Sequence, residues 1–342
     1  MYFLTYILLS FFFIIFLNFF FKKKNFLLDK RNLPHKSFVS KKFVPLTGGF
    51  LILFSSVLYS TNYFFSFIII IIFFFGILSD LLVIINPLKK IIIQFFIIIF
   101  FLHFSNIDIV STKIIFLDAL IKYKVFAIFF TCFCILVLMN GSNFMDGVNT
   151  LVCGYYILVI LVIFYIILNN TTLIFSSYNI FYNLLLSLLV IFFFNIRSKI
   201  YLGDSGTFLI SFLVGVHLIN LYNENLNILS PISPIFIVLL LWYPAFENLF
   251  SIIRKVKHKI NPAAADNQHL HHLLFIFLKN IVKSNSINVN SLTGIVINFY
   301  NLLIFTSASN FYHHTKYLTY FILFNVVIYI LTYIFLFKNN KN

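Results

Sequence analysis

The sequence predicts an all-α polytopic membrane protein with about eleven transmembrane helices, its N-terminus outside, its C-terminus cytoplasmic and its polar chemistry on the cytoplasmic face. Three observations predict it. Of the 342 residues, 61% are hydrophobic and only 10% charged, where a soluble domain carries about a quarter. Mean hydropathy is +1.02 over the whole length. That leaves no room for a large soluble domain, so residues 1–342 read as one integral membrane domain. Runs of about 20 apolar residues, the length that crosses a bilayer, recur from end to end.

The elements follow in order. The run 3–21 lacks a basic leader and a small-residue cleavage site, so it reads as a retained helix and not as a signal peptide. The apolar stretch 44–82 divides at "STN", a tight-turn sequence, into spans 44–61 and 63–82. Spans 91–105, 121–141, 150–168, 178–196, 205–222 and 234–253 come next. The apolar stretch near 273–282 reads as a re-entrant or interfacial helix, and spans 292–310 and 317–337 close the chain. No internal repeat stands out.

Charge fixes the expected orientation. With the N-terminus outside, the inside connections carry Lys22, Lys23, Lys24, Lys30, Arg31, Lys36, Lys41, Lys42, Lys89, Lys90, Arg197, Lys199, Arg254, Lys255, Lys257, Lys259, Lys279 and Lys283, and the inside tail Lys338 and Lys341. Only Lys113, Lys122, Lys124 and Lys316 remain outside. This is the asymmetry of the positive-inside rule. It accounts for the net charge of +15 without a nucleic-acid partner. Cys132, Cys134 and Cys153 lie in or beside apolar runs with no CxxC spacing and read as buried thiols.

Four acids fall near the inner boundary of the bilayer. Asp80 ends span three in "FFFGILSDLLVIINPLKK", Asp146 follows span five in "MNGSNFMDGVNTL", Asp204 opens span eight in "YLGDSGTFLISF", and Glu247 lies inside span nine in "LWYPAFENLFSIIRKVK". One such acid could be a snorkelling carboxylate or, for Asp204, a helix cap. Four on one face point to a site. Hard oxygen ligands at a water–membrane boundary suit Mg²⁺, which keeps waters and adds substrate phosphates to one or two carboxylates. Asn140, Ser142, Asn143 and Asn149 offer neutral hydrogen bonds to a base or sugar. In "NPAAADNQHLHHLLF", His269, His271 and His272 crowd behind Asp266 in a basic loop. Without a nearby cysteine this cluster suits phosphate oxygens better than zinc.

Five blocks in this order, "DKRNLPHKSFVSKKFVPLTGG", "FGILSDLLVIINPLKKIIIQ", "NGSNFMDGVNTL", "YLGDSGT" and "RKVKHKINPAAADNQHLHHLL", span nearly the whole chain. With them the sequence resembles the polyprenyl-phosphate N-acetylhexosamine-1-phosphate transferases, the glycosyltransferase family 4 group that includes the phospho-MurNAc-pentapeptide translocase. Eleven spans look more like the O-antigen, enterobacterial common antigen and teichoic acid branch than the peptidoglycan branch. The resemblance implies a multi-pass enzyme of the bacterial inner (plasma) membrane. It would pass a sugar 1-phosphate from a UDP-N-acetylhexosamine to undecaprenyl phosphate on the cytoplasmic face, release UMP and start a lipid-linked glycan such as O-antigen. It also implies Mg²⁺, with Mn²⁺ as an alternative, membrane lipid as the surroundings, and a homodimer as an open state.

By resemblance, Asp204 matches the metal-binding aspartate. Asp80 matches the second of an acidic pair that orients or deprotonates the acceptor phosphate. Asn143 and Asp146 match the nucleotide and metal region, which makes Asp146 a second metal ligand, and Asn149 stands in the same block. His269, His271 and His272, with Asp266, match a His box near the donor diphosphate. Arg254 and Lys36, or its neighbour His35, match phosphate contacts. The departures are Ser79 where a second acid is common, Asn149 for an acid after "DG", and Glu247 for an aspartate. The rival readings are a transporter or lipid flippase, disfavoured because the acids gather on one face and not at the midplane, and a scaffold, which leaves the His box without a purpose.

Overall fold

A computed structural model describes residues 2–29, 43–228, 230–259, 261, 267–282 and 286–340. Every regular element among them is helical. Helix α1 (Tyr2–Lys24) ends on Lys22, Lys23 and Lys24, cations that suit the carbonyl end of a helix. It is followed by α2 (Gly48–Leu58) and α3 (Tyr63–Asp80), which begins where the Asn62 side chain accepts from the Phe65 amide. In α4 (Pro87–Ser105), Asn86 caps the Leu88 amide and Pro87 takes the first helical position, which needs no N–H. Then come α5 (Ile115–Ile121), α6 (Lys124–Met145), α7 (Leu151–Asn169), α8 (Tyr178–Asn195), α9 (Gly203–Glu224), α10 (Pro234–Leu240), α11 (Trp242–Lys257), α12 (Leu270–Val282), α13 (Ser286–Ser309) and α14 (Thr315–Asn339).

Among the described residues nine helices are long and apolar enough to cross a membrane, or ten if α10 and α11 count as one bent span. The protein is a polytopic helical membrane protein. Helix α9 is its axis, with 94% of its apolar stretch buried, against 22% for α1, α4 and α14 at the rim. A helix apolar all round belongs inside the bundle. Helix α3 crosses α9 at Gly76, where an added Cβ would collide with the Ser205 backbone. Small residues at such crossings let membrane helices approach closely.

Two expected spans differ. The expected span 44–61 is an eleven-residue helix, α2, too short to cross alone. Its first residues are drawn instead into extended pairing beside Pro45, whose ring disfavours helix for the residue before it. Leu28 and Pro45 form an antiparallel bridge, and the Tyr201 amide donates to the Pro45 carbonyl at 3.0 Å. The expected span 234–253 is broken at Leu241, and α10 and α11 meet at 73°. The cause is Pro244, which has no N–H for the Leu240 carbonyl and whose ring crowds it. The Tyr155 hydroxyl takes over that carbonyl at 2.8 Å. The stretch near 273–282 is the thirteen-residue α12, shorter than a span, as expected of an interfacial or re-entrant helix.

Gly76→Ala should cost about 1–3 kcal/mol of stability through overpacking at the α3–α9 crossing. Thermal unfolding in detergent reads this as a lowered midpoint.

Candidate active site

The site starts where α3 ends and α9 begins. Asp80 is the last residue of α3, and its two carboxylate oxygens accept the first amides of α9: Asp204 N at 2.8 Å and Ser205 N at 3.1 Å. Those amides have no partner within their own helix. Gly203 makes the arrangement possible. Its φ of +69° is a left-handed conformation, and an added Cβ would lie 2.8 Å from each Asp80 oxygen.

The side chain of Asp204 faces a cation. Its Oδ2 accepts from Lys90 Nζ at 2.9 Å and from the Ser79 hydroxyl. Ser79, the residue that stands where a second acid is common, therefore donates a hydrogen bond to Asp204. Lys90 is brought here by the Asn86–Pro87 start of α4. It counted only as a loop charge in the sequence, and "NPLKK", a capped helix start carrying lysines, was the available signal. One turn further into α9, the Thr207 hydroxyl lies 3.4 Å from Asn143 Oδ1, a long contact that ties α9 to the end of α6.

Asp146 closes α6, its amide donating to the Asn143 carbonyl at 3.3 Å. The next residue packs on the histidines. A Cβ at Gly147 would sit 2.5 Å from His271 Nε2 and 2.7 Å from His272 Nε2, so a side chain here would have to displace the two rings. His269, His271 and His272 are all buried, and the rings of His271 and His272 lie 4.2 Å apart. Both His271 ring nitrogens lack a hydrogen-bond partner among the described residues. Burial, and then the neighbouring His272 and His269, push the His271 pKa well below the ordinary imidazole value. His271 is thus a neutral ring able to donate one hydrogen bond and accept one.

Helix α11 turns its polar face inward. Glu247, Asn248, Ser251 and Lys255 are buried, whereas Leu249, Ile252, Ile253 and Val256 are exposed. In lipid that reversal marks a helix lining a polar site. Lys255 Nζ lies 5.8 Å from the Phe144 ring, and that ring is 5.2 Å from His269. Arg254 donates to Gln268 Oε1 at 2.7 Å and so stands beside the His segment. The inward stripe 247, 248, 251, 255 was legible as helical spacing, yet Lys255 passed as one more cytoplasmic charge.

Asn149 is bonded into the fold. Its amide group donates to Ser198 Oγ at 2.6 Å and Ser291 Oγ at 3.3 Å, and its backbone N–H to Asn290 Oδ1 at 2.6 Å. Its side-chain NH2 group is engaged by Ser198, between α8 and α9, and by Ser291 of α13. The next residue, Thr150, has a φ of +66°, rare for a β-branched residue. Lys36, His35 and Asp266 lie outside the described residues.

Asp80 of α3, Asp204 of α9 and Lys90 of α4 thus meet, and the Thr207–Asn143 and Gly147–histidine contacts bring the end of α6 and the His helix to the same end of the bundle. Residues 62–222 match the model of glycosyl transferase family 4. That match covers just under half of the chain. It is similar to a probable undecaprenyl-phosphate N-acetylglucosaminyl 1-phosphate transferase of Bacillus subtilis (strain 168), 25% identical over 56% of this chain and 49% of the relative. It is also similar to an undecaprenyl-phosphate alpha-N-acetylglucosaminyl 1-phosphate transferase of Escherichia coli O157:H7, 24% identical over 50% and 47%. A decaprenyl-phosphate N-acetylglucosaminephosphotransferase of Mycolicibacterium smegmatis is 31% identical over 23% of this chain and 21% of its own length. The chain spans about half the length of the first two relatives. The family match ends before α11, so Glu247 and the three histidines lie beyond it.

Asp80→Ala should cost about 1–2 kcal/mol of stability, the worth of a helix cap, and Asp204→Asn clearly less; thermal unfolding in detergent separates them. His271 gives a pH dependence. The folded protein holds it neutral, while the unfolded chain binds a proton below about pH 6.5. Its contribution is present above that value and is lost as pH falls below it. Melting temperatures between pH 8 and 5 should fall toward acid, and His271→Gln should flatten the fall.

Proposed function

We propose that the protein transfers a sugar 1-phosphate, N-acetylglucosamine 1-phosphate by default, from a UDP-sugar to undecaprenyl phosphate, releasing UMP and starting a lipid-linked surface glycan. The observation that carries this reading is the junction of Asp80, Asp204 and Lys90, tied through Thr207 and Asn143 to the end of α6, whose Gly147 packs on the His helix. The names of the relatives supply the substrate class. In this reading the site faces the cytoplasm of a bacterial inner membrane, where the basic residues cluster. The N-terminus is outside, the C-terminus is inside, and short α2 with its extended lead-in makes one of eleven passes.

The transfer forms a bond between an acceptor phosphate oxygen and the sugar-bearing phosphorus, and breaks the bridging P–O bond to UMP. Such chemistry depends on positioning and charge neutralisation. Lys90, Arg254 and Lys255 supply fixed positive charge for the two anionic substrates. Neutral His271, with its two unused ring nitrogens, can donate to a phosphate oxygen of the donor.

Asp204 and Asp146 are the residues that would hold Mg²⁺. They fit: both are hard oxygen donors, at the ends of helices α9 and α6 that Thr207 and Asn143 bring together. Among the described residues no three His, Cys, Asp or Glu side chains group as a metal site, so water and substrate phosphates would have to complete the coordination. Bound there, the cation would neutralise charge on the phosphates.

The test is UMP release by the purified protein with undecaprenyl phosphate, Mg²⁺ and a panel of UDP-N-acetylhexosamines. UMP should come from one donor, disappear with EDTA, and fall at least about a hundredfold in Asp204→Asn. No UMP from any donor contradicts the function, and full activity in Asp204→Asn contradicts the metal assignment.

A further inference from the structure

We infer that Glu247, backed by Tyr329 of α14, is the positioning residue of the His helix and acts on donor binding without touching the donor; this rests on the transferase reading above. Glu247 is 1% exposed. A carboxylate so buried is costly unless hydrogen bonds compensate it. It has three donors. Oε1 accepts from His269 Nδ1 at 2.8 Å and from the Leu270 amide at 3.3 Å, and Oε2 accepts from the Tyr329 hydroxyl at 2.8 Å. One carboxylate therefore joins α11, the first turn of α12 and the last transmembrane helix.

The consequence for His269 is geometric. With Nδ1 directed at Glu247, the plane of the His269 ring is fixed. The same carboxylate holds the Leu270 amide, one of the otherwise orphaned donors at the start of α12. The register of α12 then decides where His271 and His272 meet Gly147.

Helix α14 braces this contact. Trp242, Phe246 and Phe250 surround the Tyr329 ring, with Phe246 at 4.9 Å and Phe250 at 5.2 Å, so its hydroxyl has little freedom. One helix end further on, Asn340 Nδ2 donates to the Leu273 carbonyl at 3.0 Å, a second tie from the end of α14 to α12. This explains why a rim helix, mostly exposed to lipid, carries a buried tyrosine hydroxyl. None of these residues falls within the 62–222 family match.

The experiment uses the full chain in detergent. UDP-N-acetylglucosamine binding is measured by calorimetry, the acceptor KM by UMP release, and folding by thermal unfolding. Glu247→Gln keeps the volume but cannot accept from all three donors. It should weaken donor binding about tenfold, the loss of one charged hydrogen bond, and leave the acceptor KM within about twofold. Tyr329→Phe should weaken donor binding about threefold, and Glu247→Asp should recover most of the wild-type affinity. The inference is overturned if Glu247→Gln binds the donor like wild type. It is also overturned if both substrates suffer alike and the melting temperature drops, because that is a fold-wide role. If Glu247→Gln does not fold, Tyr329→Phe decides by the same two criteria. Wild-type UMP release judges the transferase reading separately. Wild-type protein that neither binds the donor nor releases UMP contradicts both.

Discussion

Asp80 holds the first amides of α9, and that contact sets where the chemistry can be. The buried start of a helix leaves N–H groups without partners, and in a bilayer water cannot serve them. A carboxylate at a helix start can contribute up to about 2 kcal/mol when partly buried. Here it comes from the last residue of α3, so α3 must end where α9 begins. Gly76 and Gly203 let the two backbones come that close. Once this junction is made, Asp204 has one direction to face, and Ser79 and Lys90 meet it there.

The second half of the site is built by inverting an ordinary rule. Helix α11 buries its polar stripe and offers leucine, isoleucine and valine to lipid. It can do so because Pro244 breaks it from α10, which frees it to lie along α6 instead of continuing α10. The Tyr155 hydroxyl satisfies the carbonyl the proline abandons, and Gly141 on α6 leaves room for the Pro244 carbonyl. Arg254, Lys255 and Glu247 then face the helix that carries the histidines.

Much of this was legible in the sequence. The apolar runs gave the class, because no soluble core explains so many of them. The acids at helix ends and the histidine cluster stood out because lipid makes such residues costly. What was not legible depended on tertiary contact. Nothing near Pro45 announces that its segment pairs with Leu28 and Tyr201 and shortens α2. Lys90 looked like one of many cytoplasmic lysines until α4 placed it on Asp204. Asn149 has the polarity of a substrate contact, and only the presence of Ser198 and Ser291 shows its amide hydrogens committed to the fold. Glu247 was visible as an acid, but its partners come from α12 and α14, tens of residues away.

In the proposed transferase, the end of α6 and the start of α12 form two walls of one nucleotide site. Photolabelling with an azido-UDP analogue, followed by peptide mass spectrometry and competed by unlabelled UDP, tests it most directly. Labelling is expected in peptides covering residues 140–150 and 267–275, lost with the competitor. Competed labelling confined to the opposite end of the bundle, in 106–124 or 170–178, would contradict it.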